Sequence, residues 1–134
     1  MPELSSYDYA VVRVVPRVER EEFINAGIIL YAREAGVLAA KVALPQERLA
    51  ALAPGEDPAR IRAHLDSFER ICAGGPEAGS IGALDRSQRF RWLVAPRSTV
   101  IQTSPVHTGL CEHPHEELER LFEQLVDPRE NAAP

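Results

Sequence analysis

Lysine is all but missing from this chain: Lys41 stands alone against fourteen arginines. A guanidinium is a planar fork where an ammonium is a point charge, so nearly every cation here suits bidentate contact with an oxyanion. The bias itself is what a high-GC bacterial genome writes. Cysteine is scarce too. Cys72 and Cys111 in 134 residues do not make a disulfide framework. Long apolar runs are absent, none reaching the roughly 18 residues that span a membrane. Residues 1–30 lack a basic start followed by an apolar stretch, so no signal peptide is expected. A soluble, cytoplasmic chain with no membrane partner is the expectation. Net positive charge is missing as well. At −5 the chain is a poor candidate for coating phosphates, so nucleic acid is not expected as its main partner. A local basic site remains compatible with that balance.

What is present describes a folded protein. Apolar residues make up 45% and charged residues 26%, within the globular range. The length fits one domain over residues 1–127, with 128–134 as a disordered tail. Tyr7 to Val15 alternates like a strand and stops at Pro16. Phe23 to Tyr31 reads as a second strand, with Ile24, Ala26, Ile28 and Leu30 on one face. Asn25 and Gly27 interrupt the other face, and a glycine there marks a bulge or a close backbone approach. Val37 to Leu44 is a third strand, giving an antiparallel meander.

The middle of the chain is helical. Pro45 to Ala53 forms a short helix. Asp57-Pro58 starts a longer one, with an N-cap aspartate before a first-turn proline. Ile61, Leu65, Phe68 and Cys72 follow at helical spacing, and Gly74-Gly75-Pro76 ends the run. Residues 74–87 read as a mobile connector. Pro114 to Val126 is an amphipathic helix with Leu118, Leu121, Phe122 and Leu125 on its apolar stripe. The fold expected is α+β: an antiparallel sheet of four to five strands packed against two or three helices. Its apolar face would draw on Val12, Val14, Ile24, Ile28, Leu30, Leu38, Val42, Phe90 and Trp92, closed by Leu65, Phe68, Leu121 and Leu125.

Residues 88–109 carry the densest polar chemistry: three arginines, the only tryptophan, His107 and a run of hydroxyl and amide side chains, with no acid among them. Alternation over Arg89-Phe90-Arg91-Trp92 favours a strand with Phe90 and Trp92 inward, turned at Ala95-Pro96-Arg97 and paired back by Ser98 to Thr103. A helix over 86–93 is the competing reading.

Two blocks carry a resemblance to a known family. Tyr9 to Val15 and Pro16, then Glu22-Phe23-Ile24-Asn25-Ala26-Gly27-Ile28-Ile29-Leu30, form the first. Phe90 to Gln102, then Ser104-Pro105-Val106-His107-Thr108-Gly109, form the second. Together they resemble the bacterial domain of unknown function 3037 family over roughly residues 7–126. The resemblance implies no activity, because the family has no agreed one. It does imply a possible partner, since some members are encoded beside kinases resembling HipA.

Several constellations compete for a role. Arg91, Arg97, Ser98, Thr99, His107 and Thr108 suit a phosphate or carboxylate, because arginine forks flanked by hydroxyls match oxyanion geometry. The structural alternative pairs these arginines with Glu19, Glu21 or Glu22. Arg17, Arg20, Glu22 and Asn25 form a second candidate, either lining a pocket or leaving Asn25 bonded to backbone beside Gly27. His107, Cys111, His113 and His115 match no closed zinc spacing, so no metal site and no cofactor are expected. His107 with Ser98, Ser104 or Cys111 would be a nucleophile pair, yet no strained Gly-x-Ser-x-Gly turn is present.

The leading expectation is a non-catalytic binding or accessory protein that holds a phosphorylated ligand or an acidic partner surface. One alternative is a phosphate-processing enzyme using His107 with Arg91 and Arg97, and a carboxylate such as Glu22 orienting the imidazole. Another is a partner of a HipA-like kinase, recognised through Glu116, Glu119 and Glu123.

Overall fold

The run from Ser5 to Val14 forms strand β1, and neither of its faces is open to water along most of its length. Val12 and Val14 enter one buried cluster; Tyr7 and Val11 enter another on the opposite side. A strand so apolar on both faces needs a helical layer over each, which is what the chain supplies. The computed structural model describes residues 3–97 and 99–127. Ser98 and the expected tail at 128–134 lie outside the described residues.

Strands β2 (Ile24–Ala32) and β3 (Val37–Val42) follow β1 as the expected antiparallel meander. Strands β4 (Ile101–Thr103) and β5 (His107–Cys111) lie end to end along the other side of β1. Pro105 interrupts them, since proline has no amide hydrogen for a ladder. Ser104 spans the gap: the Val11 amide donates to its Oγ and its own amide donates to the Val11 carbonyl, both at 2.8 Å. The result is a five-stranded antiparallel sheet in an α+β fold.

Strand β2 does not keep one apolar face. Arg13 sits opposite Asn25 while Val12 sits opposite Gly27, so Ala26 is an extra residue and the strand bulges. The bulge reverses the alternation. Ile24 and Ala26 join one cluster, and Ile28 and Leu30 join the other, in place of the single face expected for all four. Gly27 also meets the expectation of a close approach. A Cβ there would fall 2.8 Å from Val42 Cγ1 and 2.9 Å from the Lys41 carbonyl oxygen.

On one face lie α1 (Gln46–Leu52), α2 (Pro58–Ala73) and α3 (Arg86–Val94). Helix α2 starts as expected, with the Ala59 amide donating to Asp57 Oδ1 at 3.0 Å and Pro58 in the first turn. Residues 74–87 are not a loose connector, since Pro76–Ala83 winds into 3₁₀ turns kinked at Gly79. Residues 86–94 are helical, which corrects the hairpin reading. The cause is a capping box at Asp85: the Gln88 amide donates to Asp85 Oδ1 at 2.8 Å, and the Asp85 amide donates to Gln88 Oε1 at 3.2 Å. Helical spacing buries Phe90 and Leu93 and turns Trp92 outward, 41% exposed, so Trp92 is not part of the core.

Helix α4 (Pro114–Leu125) covers the other face through Leu118, Leu121 and Phe122. Leu125, expected on that stripe, is 36% exposed, and Val126 is buried in its place. Polar ties hold α4 down. Tyr7 Oη donates to Glu117, Arg120 donates to the same carboxylate, and Lys41 pairs with Glu119 while resting 4.6 Å from the Phe122 ring centre.

Candidate functional site: an arginine-lined cleft at the end of the sheet

Toward the C-terminal end of β1 the cover given by α4 runs out. Asn25 Nδ2 donates to the Leu125 carbonyl at 3.0 Å, marking where that helix stops. Beyond this point the same sheet face carries polar side chains. Arg13 has Asn25 beside it on β2 and Gln102 beside it on β4. Phe23 precedes β2 and is 46% exposed. The Arg13 guanidinium lies over the Phe23 ring, 4.1 Å from its centre. Arg97 reaches in from the segment after α3. Its guanidinium lies 4.3 Å from the centre of the Trp92 ring and donates to the Trp92 carbonyl. Each cation–π contact is worth about 0.5–1 kcal/mol at an exposed site and fixes the plane of its fork.

Between the two forks is a cleft of about 310 Å³, lined by Arg13, Arg97, Gln102, Phe23, Val15, Val18 and Glu21. Arg13 Nε is buried and has no hydrogen-bond partner among the described residues. A buried donor left unpaired is destabilising by about 1–3 kcal/mol. Glu21, at φ 56° after the 3₁₀ turn Val18–Arg20, puts one carboxylate on the rim. Among the described residues it pairs with neither arginine within 4 Å. Burial pushes the Arg97 guanidinium below its ordinary pKa, yet leaves it charged at any physiological pH.

Two further cavities open at the same end. One, about 430 Å³, holds Glu56, Arg60, His64 and Thr99. Burial first, and the charge of Arg97 second, lower the pKa of His64. The other, about 450 Å³, holds Arg17, Arg20, Glu22 and Glu56.

Of the described residues proposed from the sequence as ligand-binding, Arg97 alone lines the cleft, and Glu21, named there as an arginine partner, lines it too. Arg91 is exposed on α3. Thr99 Oγ1 donates to the Ile101 carbonyl at 2.8 Å and lines the neighbouring cavity. His107 is exposed on β5, its ring 5.3 Å from that of Tyr9. His107 pairs with Tyr9, four residues along β1 from Arg13, which is roughly 13 Å at about 3.3 Å per residue. Thr108 is exposed opposite Asp8. Arg17 and Arg20 line the third cavity, with Arg20 paired to Glu22 rather than Glu22 orienting His107. Asn25 bonds to backbone, as one of its two readings had it, although the carbonyl belongs to α4.

Among the described residues no three His, Cys, Asp or Glu side chains gather where a metal could bind. Cys111 is buried, and burial raises its thiol pKa; Cys72 is pushed up to about 12 by the same cause. On α4, Glu116 and Glu123 are exposed while Glu119 is held by Lys41.

Arg13, Gln102 and Phe23 were not read as site residues. One signal was available: Arg13 is the single cation inside Val11-Val12-Arg13-Val14-Val15. A charge in so apolar a run either finds a partner or waits for one.

A family model described as Protein of unknown function (DUF3037) matches residues 9–126. No curated protein and no solved structure matches the chain.

Proposed function

The chain belongs to the family described as Protein of unknown function (DUF3037), so no relative hands it an activity, and we propose from its own geometry that it is a non-catalytic binding protein whose Arg13–Arg97 cleft takes a phosphate- or carboxylate-bearing ligand. The pair of guanidinium groups that line one cleft, Arg13 over the Phe23 ring and Arg97 over the Trp92 ring, carries this reading. A fork already oriented by an aromatic ring loses little freedom when an acceptor arrives. Arg97 supplies a second oriented fork, and the Gln102 amide adds a neutral donor beside them. Oxyanions with two or more coplanar oxygens fit such a pair of forks.

Binding is favoured over catalysis by what lines the cleft. The described lining residues include no histidine, hydroxyl or thiol, and Glu21 is the one carboxylate. A phosphate-processing reaction needs a base or nucleophile beside the charge clamp. His107 lies on β5, outside that lining.

Calorimetric titration with pyrophosphate, sulfate and citrate tests the reading. Wild type is expected to bind at least one of the three, more weakly as ionic strength rises. Arg13→Met and Gln102→Glu are each expected to abolish the heat of binding, the second by placing a carboxylate beside Arg13. Undiminished binding in both variants would place the anion elsewhere and overturn the assignment.

A further inference from the structure

The lining of the Arg13–Arg97 cleft has two halves, and an inorganic anion would use only one of them. Arg13, Arg97 and Gln102 form the polar half, and Val15, Val18 and Phe23 form the apolar half. Val15 is buried, but Val18 is 38% exposed and Phe23 more so. Arg13 covers one face of the Phe23 ring, and the exposure of that residue leaves the rest of the ring open. Just outside the lining, the Trp92 ring that carries Arg97 is exposed as well. Two aromatic rings and a valine exposed around one cleft form a local patch, unlike scattered single exposures. An apolar wall with a few convergent polar groups is the make-up of small-molecule sites.

Glu21 makes the same point from the polar side. Its carboxylate belongs to the lining, and among the described residues no cation pairs with it. A phosphate gains nothing from a carboxylate beside it, whereas a hydroxyl or amino group donates to one. Gln102 is half used. Its Nε2 donates to the Thr99 carbonyl at 2.9 Å, which leaves Oε1 as an acceptor. Two acceptors thus share the cleft with two cationic forks. The volume, about 310 Å³, is at the small end for such sites, with room for one ring and one sugar rather than a lipid chain.

We infer that the ligand of this cleft is a nucleoside monophosphate, an inference that rests on the anion-site reading and narrows it. The phosphate lies between the Arg13 and Arg97 forks and accepts from both. The ribose hydroxyls donate to Glu21, the role an acidic side chain takes in many nucleotide sites. The base stacks on the open part of Phe23 with Val18 beside it, and an amino group or ring N–H donates to Gln102 Oε1. A flat ring is favoured over an aliphatic group by the surfaces that meet it, a phenyl ring and two guanidiniums, all of them planar. Both halves of the cleft then have a counterpart on the ligand, which an inorganic anion does not supply.

The test is calorimetric titration of the full chain with AMP, GMP, CMP and UMP, each beside ribose 5-phosphate, which has the same phosphate and sugar but no base. At least one nucleotide is expected to bind about tenfold tighter than ribose 5-phosphate, or more, the effect of one base stacked on one aromatic ring. Phe23→Leu keeps an apolar side chain and removes the flat face. The ratio of the two affinities should then fall toward one, whatever the variant does to phosphate binding itself. Glu21→Gln should weaken the nucleotide severalfold, although it removes a charge that repels phosphate. If pyrophosphate binds while no nucleotide binds tighter than ribose 5-phosphate, the inference is overturned and the anion site stands. An unchanged ratio in Phe23→Leu, or tighter nucleotide binding in Glu21→Gln, overturns it too. If pyrophosphate, sulfate and citrate do not bind either, the anion site itself is wrong and this inference falls with it.

Discussion

Arg89 and Arg13 are both arginines set among apolar side chains, and the fold treats them in opposite ways. Arg89 is bonded to backbone at Nε and Nη1. Its Nε donates to the Leu84 carbonyl at 3.0 Å, and its Nη1 donates to the carbonyls of Ile71 and Cys72 at 2.7 Å each. Those last two carbonyls end α2, where a helix leaves acceptors without intrahelical donors. Gly74, at φ +78°, makes room for it, since a Cβ would fall 2.8 Å from Arg89 Nη1. The charge also suits the negative end of the helix dipole. Arg13 is oriented just as firmly, over Phe23, but its Nε is left without a partner. A cation that the fold bonds to three backbone carbonyls is architecture, and one that the fold orients beside a cleft without such bonds is a candidate for recognition.

Substitutions can break or sharpen that contrast. Arg89→Met keeps most of the apolar stem and removes the donors. Three carbonyls lose their partners, each worth about 1–3 kcal/mol if buried, so a net loss of about 3 kcal/mol is expected in urea unfolding. Anion titration of the fraction that remains folded should be unchanged. A loss below about 1 kcal/mol would show that water replaces the guanidinium readily, and Arg89 would no longer serve as the bonded case.

Acid should separate the cleft from the rest of the fold. Hydrogen bonding from Arg120, and then from Tyr7, holds the Glu117 carboxyl below its ordinary value of 4.5. A carboxyl depressed in the folded state contributes stability that is fully present above its unfolded pKa and is lost as pH falls through the folded one. Unfolding midpoints should therefore fall below about pH 4.5, and Glu117→Gln should flatten that part of the profile. Sulfate binding at the cleft should not follow this curve, because the contacts of Glu117 with Tyr7 and Arg120 lie outside the residues that line the cleft. Parallel loss of both would mean that the cleft depends on the docking of α4.

The smallest expected effect is at the rim. Glu21→Gln removes the one carboxylate of the cleft while keeping its shape. Pyrophosphate binding should tighten by roughly 0.2–1 kcal/mol, the range of an exposed charge interaction. Weaker binding would show instead that Glu21 orients an arginine.

Much of the fold was legible in the sequence, and the parts that were not have specific causes. The meander, the Asp57-Pro58 helix start and the C-terminal helix follow from periodicity and capping, which are local. The faces of β2 did not, because a bulge at Ala26 reverses alternation without changing composition. Residues 86–94 alternate like a strand, while Asp85 and Gln88 cap a helix; the cap decides, and its signature of aspartate followed three residues later by glutamine was present to be read. The site was harder. Arg97 belongs to a polar block that draws attention, but Arg13 lies 84 residues away in an apolar strand. Only the pairing of β1 with β4 brings Gln102 beside Arg13, and no local pattern encodes that pairing.

The most direct measurement compares Arg13→Met with Arg89→Met in one experiment, recording the urea midpoint of each with and without saturating pyrophosphate. Arg13→Met should unfold at the wild-type midpoint or slightly above it in buffer, because an unpaired buried donor has been removed, and pyrophosphate should no longer raise that midpoint. Arg89→Met should unfold earlier and still be stabilised by pyrophosphate. If Arg13→Met is destabilised as much as Arg89→Met, or keeps the full pyrophosphate response, Arg13 is architecture and the cleft is not the binding site.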